Sequence, residues 1–279
     1  MKYTRSEFFK FSGISLAGFA AIDNRSLSGE FLHIKDTTQL NLGLTSYTLR
    51  SLNLDDTIKA TLRMGLKNIS LKSMHMPLES SADEIKKIAG KVRTAGLNLY
   101  GAGVIYMKTP AEVESTFAYA FNAGLEMVIG VPNHELLPMA EEQVKKYNIK
   151  LAIHNHGPGD NLYSSPNDVY DKIKDLDQRI GLCIDVGHVQ RIGQDPSELL
   201  SRYKNRLYDI HMKDVSGATA KDTPVEIGRG IIDIPKVIKT LKKIKYKGIV
   251  AFEYEKDEND PLPGLAESVG YVNAMIKMT

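Results

Sequence analysis

The sequence predicts a single α/β domain, a (β/α)8 TIM barrel, on three observations. From Asn41 onward, short β-rich runs alternate with amphipathic stretches and no linker interrupts them. The β-rich runs number eight, and several of the amphipathic stretches stop at a glycine. The chain has 279 residues, and barrels of this kind commonly take about 250. A doubly wound open sheet would place a glycine fingerprint after its first strand, and none follows Ser46.

In chain order the expected strands are Leu42–Ser46, Asn68–Leu71, Leu97–Val104, Met127–Val131, Leu151–His154, Gly181–Asp185, Leu207–His211 and Ile249–Glu253. Each is short and apolar, as strands covered on both faces must be. Between them, Leu54–Met64, Ala82–Ala95, Pro110–Ala123, Glu141–Tyr147, Pro196–Tyr203 and Ile234–Ile244 carry apolar residues at helical spacing. Gly65, Gly96 and Gly124 follow the first three of these, where a helix most readily ends. The expected barrel domain spans residues 41–279.

Polar residues gather where these strands end, the end at which barrel enzymes build their sites. The fifth strand ends in His154-Asn155-His156 and the sixth in Asp185-Val186-Gly187-His188. The seventh ends in His211-Met212-Lys213-Asp214 and the eighth in Glu253. Of seven histidines in the chain, His154, His156, His188 and His211 fall within three residues of such an end. A lone buried histidine is ordinarily a hydrogen-bonded core residue; four successive strand ends of this kind argue jointly for a metal site. The expected ligands are His154, Asp185, His211 and Glu253 around one divalent ion. Imidazole donors suit manganese, cobalt, zinc or iron better than calcium or magnesium; among these the donor set does not choose, and manganese or zinc is taken as the preferred ion, with cobalt, iron and magnesium as alternatives. His156 lies on the same side of an extended segment as His154, so one can ligate while the other meets substrate.

Other motifs fail. His134-Glu135-Leu136-Leu137-Pro138 opens like a zinc-protease helix but has Pro138 where the second histidine belongs. There is no Gly-Lys-Ser/Thr phosphate loop and no Gly-x-Ser-x-Gly elbow. Gly228-Arg229-Gly230 offers Arg229 to an anionic or polyhydroxyl group, though a surface turn before the helix explains it equally well. Cys183 is the only cysteine, which excludes an intramolecular disulfide, and its apolar neighbours suggest a buried core thiol.

The first twenty residues differ from the rest: Lys2, Arg5 and Lys10 precede an apolar run from Phe11 to Ala21, the pattern of an export signal over residues 1–20. Thr4 through Lys10 resembles the twin-arginine pattern with Ser6 in place of the second arginine. Residues 21–40, with Ser26, Ser28 and Gly29, read as a flexible lead. A periplasmic location is expected. Without residues 1–20, which hold Lys2, Arg5, Lys10 and Glu7, 33 basic and 33 acidic residues remain. That balance argues against a nucleic-acid partner. No stretch approaches the roughly 20 apolar residues of a membrane span, so no membrane contact is expected once the signal is removed. Composition leaves a homo-oligomer open.

Ile153-His154-Asn155-His156, Ile184-Asp185-Val186-Gly187-His188, His211-Met212-Lys213-Asp214 and Gly248 through Glu253 together resemble the xylose isomerase-like barrel superfamily, often called sugar phosphate isomerase/epimerases, over about residues 41–279. The resemblance implies that Asp185, His211 and Glu253 ligate metal, with His188 and Lys213 near substrate and Glu253 also moving protons. Ketose 3-epimerases of this superfamily have a glutamate where this chain has His154, so their paired acid/base is broken here. The expectation is a metal-dependent sugar isomerase or epimerase acting through an enediolate on an unphosphorylated carbohydrate. The base candidates are Glu253, His156 and His188, and His156, His188, Lys213 and Arg229 bind substrate. The alternative is a lyase or hydratase acting on 3-keto-glycosides through the same enolate. An apurinic endonuclease and a non-catalytic sugar-binding barrel with Tyr47, Tyr106 and Tyr163 as platforms are the lesser alternatives.

Overall fold

The structure, a computed structural model, describes residues 40–279; the expected export segment at 1–20 and the lead at 21–40, save Leu40, lie outside the described residues. Eight parallel strands close into a barrel: β1 (Asn41–Thr45), β2 (Asn68–Leu71), β3 (Asn98–Met107), β4 (Met127–Pro132), β5 (Lys150–His154), β6 (Ile180–Asp185), β7 (Leu207–Met212) and β10 (Ile249–Phe252). They run round the barrel in chain order, and β10 closes it by pairing with β1. A short antiparallel ribbon, β8 (Asp214–Val215) with β9 (Pro224–Val225), rises from the end of β7.

All eight expected strands form, with ends displaced by at most three residues. The helices Leu54–Arg63, Ala82–Thr94, Pro110–Asn122, Pro196–Arg202 and Ile234–Lys243 match their expected spans to within a residue. The helix expected from Glu141 begins earlier, at Leu137, because Pro138 in its first turn forfeits no intrahelical hydrogen bond. Thr109 with Glu112 and Ser81 with Glu84 form capping boxes that fix where two of these helices start. Gly65, Gly96 and Gly124 adopt φ of 74°, 91° and 62°, the left-handed conformation that ends a helix at least cost in glycine. Helices Pro166–Ile173, Val186–Arg191 and Pro261–Met278 complete the shell. Among the described residues no helix is long and apolar enough to cross a membrane.

The loops that follow β1 and β2 are tied together at His75, which is 4% exposed. The Ser46 hydroxyl accepts the Lys72 N–H (2.8 Å) and donates to His75 Nδ1 (2.9 Å), while Nε2–H faces the Leu52 carbonyl and the Thr57 hydroxyl, each at 3.0 Å. That network assigns the neutral ring. Burial holds its pKa below the ordinary histidine value, and the Leu52 carbonyl opposes this only in part. The unfolded chain therefore takes up a proton near pH 6.5 that the folded chain resists, so this stabilisation is complete above about pH 6.5 and is lost as pH falls below it. His75→Gln should lower the urea midpoint at about pH 7.5 yet flatten its decline toward about pH 5. An unchanged pH slope in the variant refutes the assignment.

Candidate metal centre

Four side chains converge inside the barrel at the C-terminal ends of its strands. His154 closes β5, Asp185 closes β6, His211 lies in β7 and Glu253 follows β10. One donor atom from each lies within 4.8 Å of the others. They are 1%, 0%, 1% and 5% exposed. The strand register explains the convergence: His154 is level with Cys183 two residues below Asp185, Asp185 is level with His211, and Ala251 two residues below Glu253 is level with His211.

The two carboxylate candidates are held from outside the cluster. The Asn155 side-chain oxygen accepts the Asp185 N–H at 3.0 Å, stitching the end of β5 to that of β6. Asp185 Oδ1 accepts the His188 N–H at 2.8 Å and so caps helix Val186–Arg191, leaving Oδ2 turned to the cluster. Glu253 Oε1 accepts the Thr45 hydroxyl at 3.2 Å, and Oε2 lies 3.1 Å from His211 Nδ1. His154 Nε2 lies 3.5 Å from Asp185 Oδ2. His211 Nε2 lies 3.6 Å from Asp209 Oδ2.

Lys213 enters the same space. Its ammonium is 2.9 Å from Asp185 Oδ2, 2.8 Å from Glu253 Oε2 and 3.2 Å from Glu255 Oε2. The stem passes Gly187 so closely that a Cβ there would meet Lys213 Cγ at 2.4 Å and Cδ at 2.6 Å. Glycine at 187 is thus required for the lysine to reach the carboxylates.

Protonation follows from burial and charge. Desolvation alone would discharge Lys213, but Asp185, Glu253 and Glu255 outweigh it and hold its pKa well above the ordinary lysine value. Burial likewise opposes ionisation of Asp185 and Glu253; Lys213 leads in lowering the first and His211 in lowering the second. Burial drives His154 well below the ordinary imidazole value and His188 down to about 2, Lys213 adding to the effect on His188. His156 is lowered by burial too. For His211 desolvation is overcome by Glu253, Asp209 and Asp185, so its pKa rises. A cation bound there would displace a proton from His211, as metal binding to imidazole generally does below its pKa.

The arrangement fits a divalent cation on three counts. The buried ring nitrogens His154 Nε2 and His211 Nε2 make no hydrogen bond. Three carboxylates, Asp185, Glu253 and Glu255, face one ammonium, so acidic groups outnumber the lysine in a buried space. Two imidazoles with two carboxylates are a donor set that transition ions accept. His154, Cys183 and His211 also come together, but burial pushes the Cys183 thiol well above its ordinary value, so the carboxylate set is the better cradle.

The remaining expected site residues fall as follows. His156 is partly exposed at the mouth, with Nε2 3.0 Å from the Tyr106 hydroxyl and Nδ1 3.5 Å from His154 Nδ1. His188 Nε2 is 3.8 Å from Asp185 Oδ2. Arg229 contacts Glu267 on helix Pro261–Met278, with Nη2 at 2.7 Å, and its side chain is 61% exposed. The Gly228-Arg229-Gly230 turn folds on the Asp214 carboxylate, which accepts N–H bonds from Gly228, Gly230, Ile232 and Val215. Tyr163 is fully buried with its hydroxyl on the Pro132 carbonyl at 2.8 Å, whereas Tyr106 is 43% exposed and stacks on His156. Three further ionisable groups lie around the cluster. They are Glu255, whose pKa burial raises; Lys72, lowered by burial and set over the Tyr47 ring; and Asp209 below His211, pushed up to about 7 by burial. A cavity of about 430 Å³ opens at the opposite end of the barrel beside Tyr100, Lys150 and Tyr246, away from this chemistry.

A family description, xylose isomerase-like TIM barrel, matches residues 134–275, the stretch that contains all four ligand candidates. The chain is 27% identical over 147 residues to the rhizopine catabolism protein MocC of Rhizobium meliloti, covering 47% of this chain and 45% of that one. It is 26% identical over 144 residues to an inosose dehydratase of Clostridium perfringens, covering 46% of each. It thus spans less than half the length of these curated relatives. Among solved structures, the IOLI protein with a bound zinc atom superposes with a TM-score of 0.71 at 16% identity, over 86% of this chain and 99% of that one, a likeness of fold.

Proposed function

This chain belongs to the xylose isomerase-like TIM barrel family, and from that premise we propose that it is a divalent-metal enzyme of enolate chemistry acting on an unphosphorylated keto sugar or keto cyclitol. The buried quartet of His154, Asp185, His211 and Glu253 carries this reading. A divalent ion held by these four supplies Lewis acidity toward a carbonyl oxygen and so acidifies the neighbouring C–H bond. Zinc, carried by the structural neighbour, and manganese are the first ions to test.

The chain's own groups supply the rest. Both oxygens of Glu253 are engaged, by Thr45 on one side and by His211 and Lys213 on the other, which leaves it poorly placed to take a proton. His156 is neutral, partly exposed and steadied by Tyr106, so it is the better base of the imidazole pair. His188, neutral near pH 7, is suited to accept or donate one hydrogen bond to a substrate hydroxyl. The Lys213 ammonium is a fixed positive charge beside the reacting carbonyl.

A dehydratase outcome, with a β-hydroxyl leaving as water, is supported by the inosose dehydratase relative. An isomerase or epimerase outcome is the second reading, supported by ionisable groups on two sides of the mouth, His156 after β5 and Glu255 after β10. The basic and then apolar composition of residues 1–20 supports a periplasmic location, where sugars are unphosphorylated.

The test is proton NMR in heavy water with inosose, D-fructose and a 3-keto-glucoside as probes. The zinc- or manganese-loaded protein should exchange the hydrogen beside the carbonyl of at least one probe, lose that activity on chelation and regain it with the ion. Loaded protein that exchanges none of them, or exchange indifferent to chelation, contradicts the proposal. A barrel that only binds sugar would show affinity without exchange.

A further inference from the structure

We propose that Glu255 is the acid/base that moves the substrate proton, working across the mouth from His156; the assignment rests on the enolate reading above. A base for such a step must be free of the ion, open to the mouth and held in place. The four ligand candidates fail the first condition and are nearly inaccessible. Side chains alternate along an extended segment, so Glu255 stands on the same side as Glu253 but one pleat, roughly 7 Å, farther out. The Lys213 ammonium, which touches both carboxylates, attests that alternation, and so does Tyr254 between them, whose hydroxyl turns away to Glu226 at 3.1 Å.

His156 stands in the same relation to His154 on β5. The two outer residues have side chains equally exposed, at 23%. Two strands separate theirs, β7 and β6, which carry His211 and Asp185. Glu255 and His156 therefore stand on different sides of the mouth with the ligand cluster deeper between them. Glu255 is also well fixed. The Tyr254 N–H donates to the Thr48 hydroxyl at 2.9 Å, Arg50 Nη2 donates to the Glu255 carbonyl at 3.3 Å, and Lys213 draws the carboxylate inward.

In the step, a Glu255 oxygen takes H⁺ from the carbon beside the carbonyl. The C–H electron pair becomes the carbon–carbon double bond of an enolate, and the former carbonyl oxygen takes the negative charge. In dehydration the enolate expels hydroxide from the β-carbon, protonated Glu255 gives its proton to that hydroxide, and one water leaves with the carboxylate restored. In epimerisation a proton from solvent reaches the opposite face of the same carbon by way of His156, which is neutral before and after, and Glu255 releases its own proton to solvent.

The experiment uses whichever of inosose, D-fructose and the 3-keto-glucoside the loaded wild-type protein exchanges in heavy water. Glu255→Gln should lower the exchange rate by about 10² to 10⁴-fold, the range of general acid–base catalysis. Metal content per chain should stay at the wild-type level. Glu255→Ala should behave alike and regain at least about tenfold with added formate, a small carboxylate able to take the missing place. Exchange by Glu255→Gln within a few-fold of wild type, loss of metal in step with loss of exchange, or a folded, loaded Glu255→Ala indifferent to formate each overturns the assignment. Wild-type protein that exchanges no probe brings down the enolate reading and this one with it, whereas an active wild type with an equally active Glu255→Gln brings down this one alone.

Discussion

Asp185→Asn should leave the fold intact while weakening metal binding by at least about 100-fold, more than even the loss of an outer-layer partner costs. Turnover should fall by roughly 10² to 10³-fold, as when a fixed stabiliser of developing charge is removed. The substitution is chosen because it separates charge from shape. An asparagine oxygen can still accept the His188 N–H that Asp185 Oδ1 now accepts at 2.8 Å, so helix Val186–Arg191 keeps its cap. The Asn155 contact to the Asp185 backbone is untouched. What disappears is the negative charge on Oδ2, which lies 2.9 Å from Lys213 Nζ and 3.5 Å from His154 Nε2. Elemental analysis after dialysis, the exchange assay and a thermal melt read the three consequences separately. A variant that keeps its metal and its activity shows that Asp185 is not a ligand; one that melts far below wild type shows that the residue was chiefly structural.

The barrel was legible because both of its periods are written in the chain. Ile180 through Ile184 is an apolar run buried on both faces, and helix Ala82–Thr94 repeats apolar residues at three and four. The ligand quartet was legible for a related reason: a charged or imidazole residue at the end of an apolar strand has no place in a barrel core unless something there pairs with it. What the sequence hid depends on distance in space. Glu255 lies three residues beyond its strand in a run of charged residues, Glu255-Lys256-Asp257-Glu258, and reads as a solvated loop until Lys213 is seen to hold it. Asp209 sits mid-strand one pleat below His211, and only closure of the barrel brings the Tyr100 hydroxyl of β3 to it. The Gly228-Arg229-Gly230 turn shows the converse. Gly230 is explained by the Asp214 carboxylate, to which a Cβ there would come within 2.2 Å, and Gly228 by its φ of 96° and by the Tyr271 ring, 2.8 Å from where a Cβ would lie. Without that carboxylate in view, the arginine between them invited a substrate role that its contact with Glu267 does not suggest.

Lys213→Met carries the largest expected effect on stability. The side chain is 2% exposed, and its ammonium lies against three carboxylates. Methionine fills much of the lysine stem and is unbranched at the point where the chain passes Gly187, so packing there is largely kept. Removing the ammonium leaves Asp185, Glu253 and Glu255 facing one another in a buried space, and breaking a buried charge pair in this way costs about 3–5 kcal/mol. Urea unfolding in the presence of a chelator should show that loss. A saturating divalent ion should recover part of it, because the ion neutralises the same carboxylates and binds only the folded state, a linkage worth about 2.7 kcal/mol at a hundred times the dissociation constant. The wild-type protein should gain less from the ion than the variant does, since Lys213 and the ion draw on the same oxygens of Asp185 and Glu253. A deficit below about 1 kcal/mol in chelator, the scale of an exposed pair, means that Lys213 is solvated and not inside the cluster. A large deficit that the ion leaves unchanged means that lysine and ion do not share carboxylates, and then the quartet is held together by Lys213 for some purpose other than binding metal.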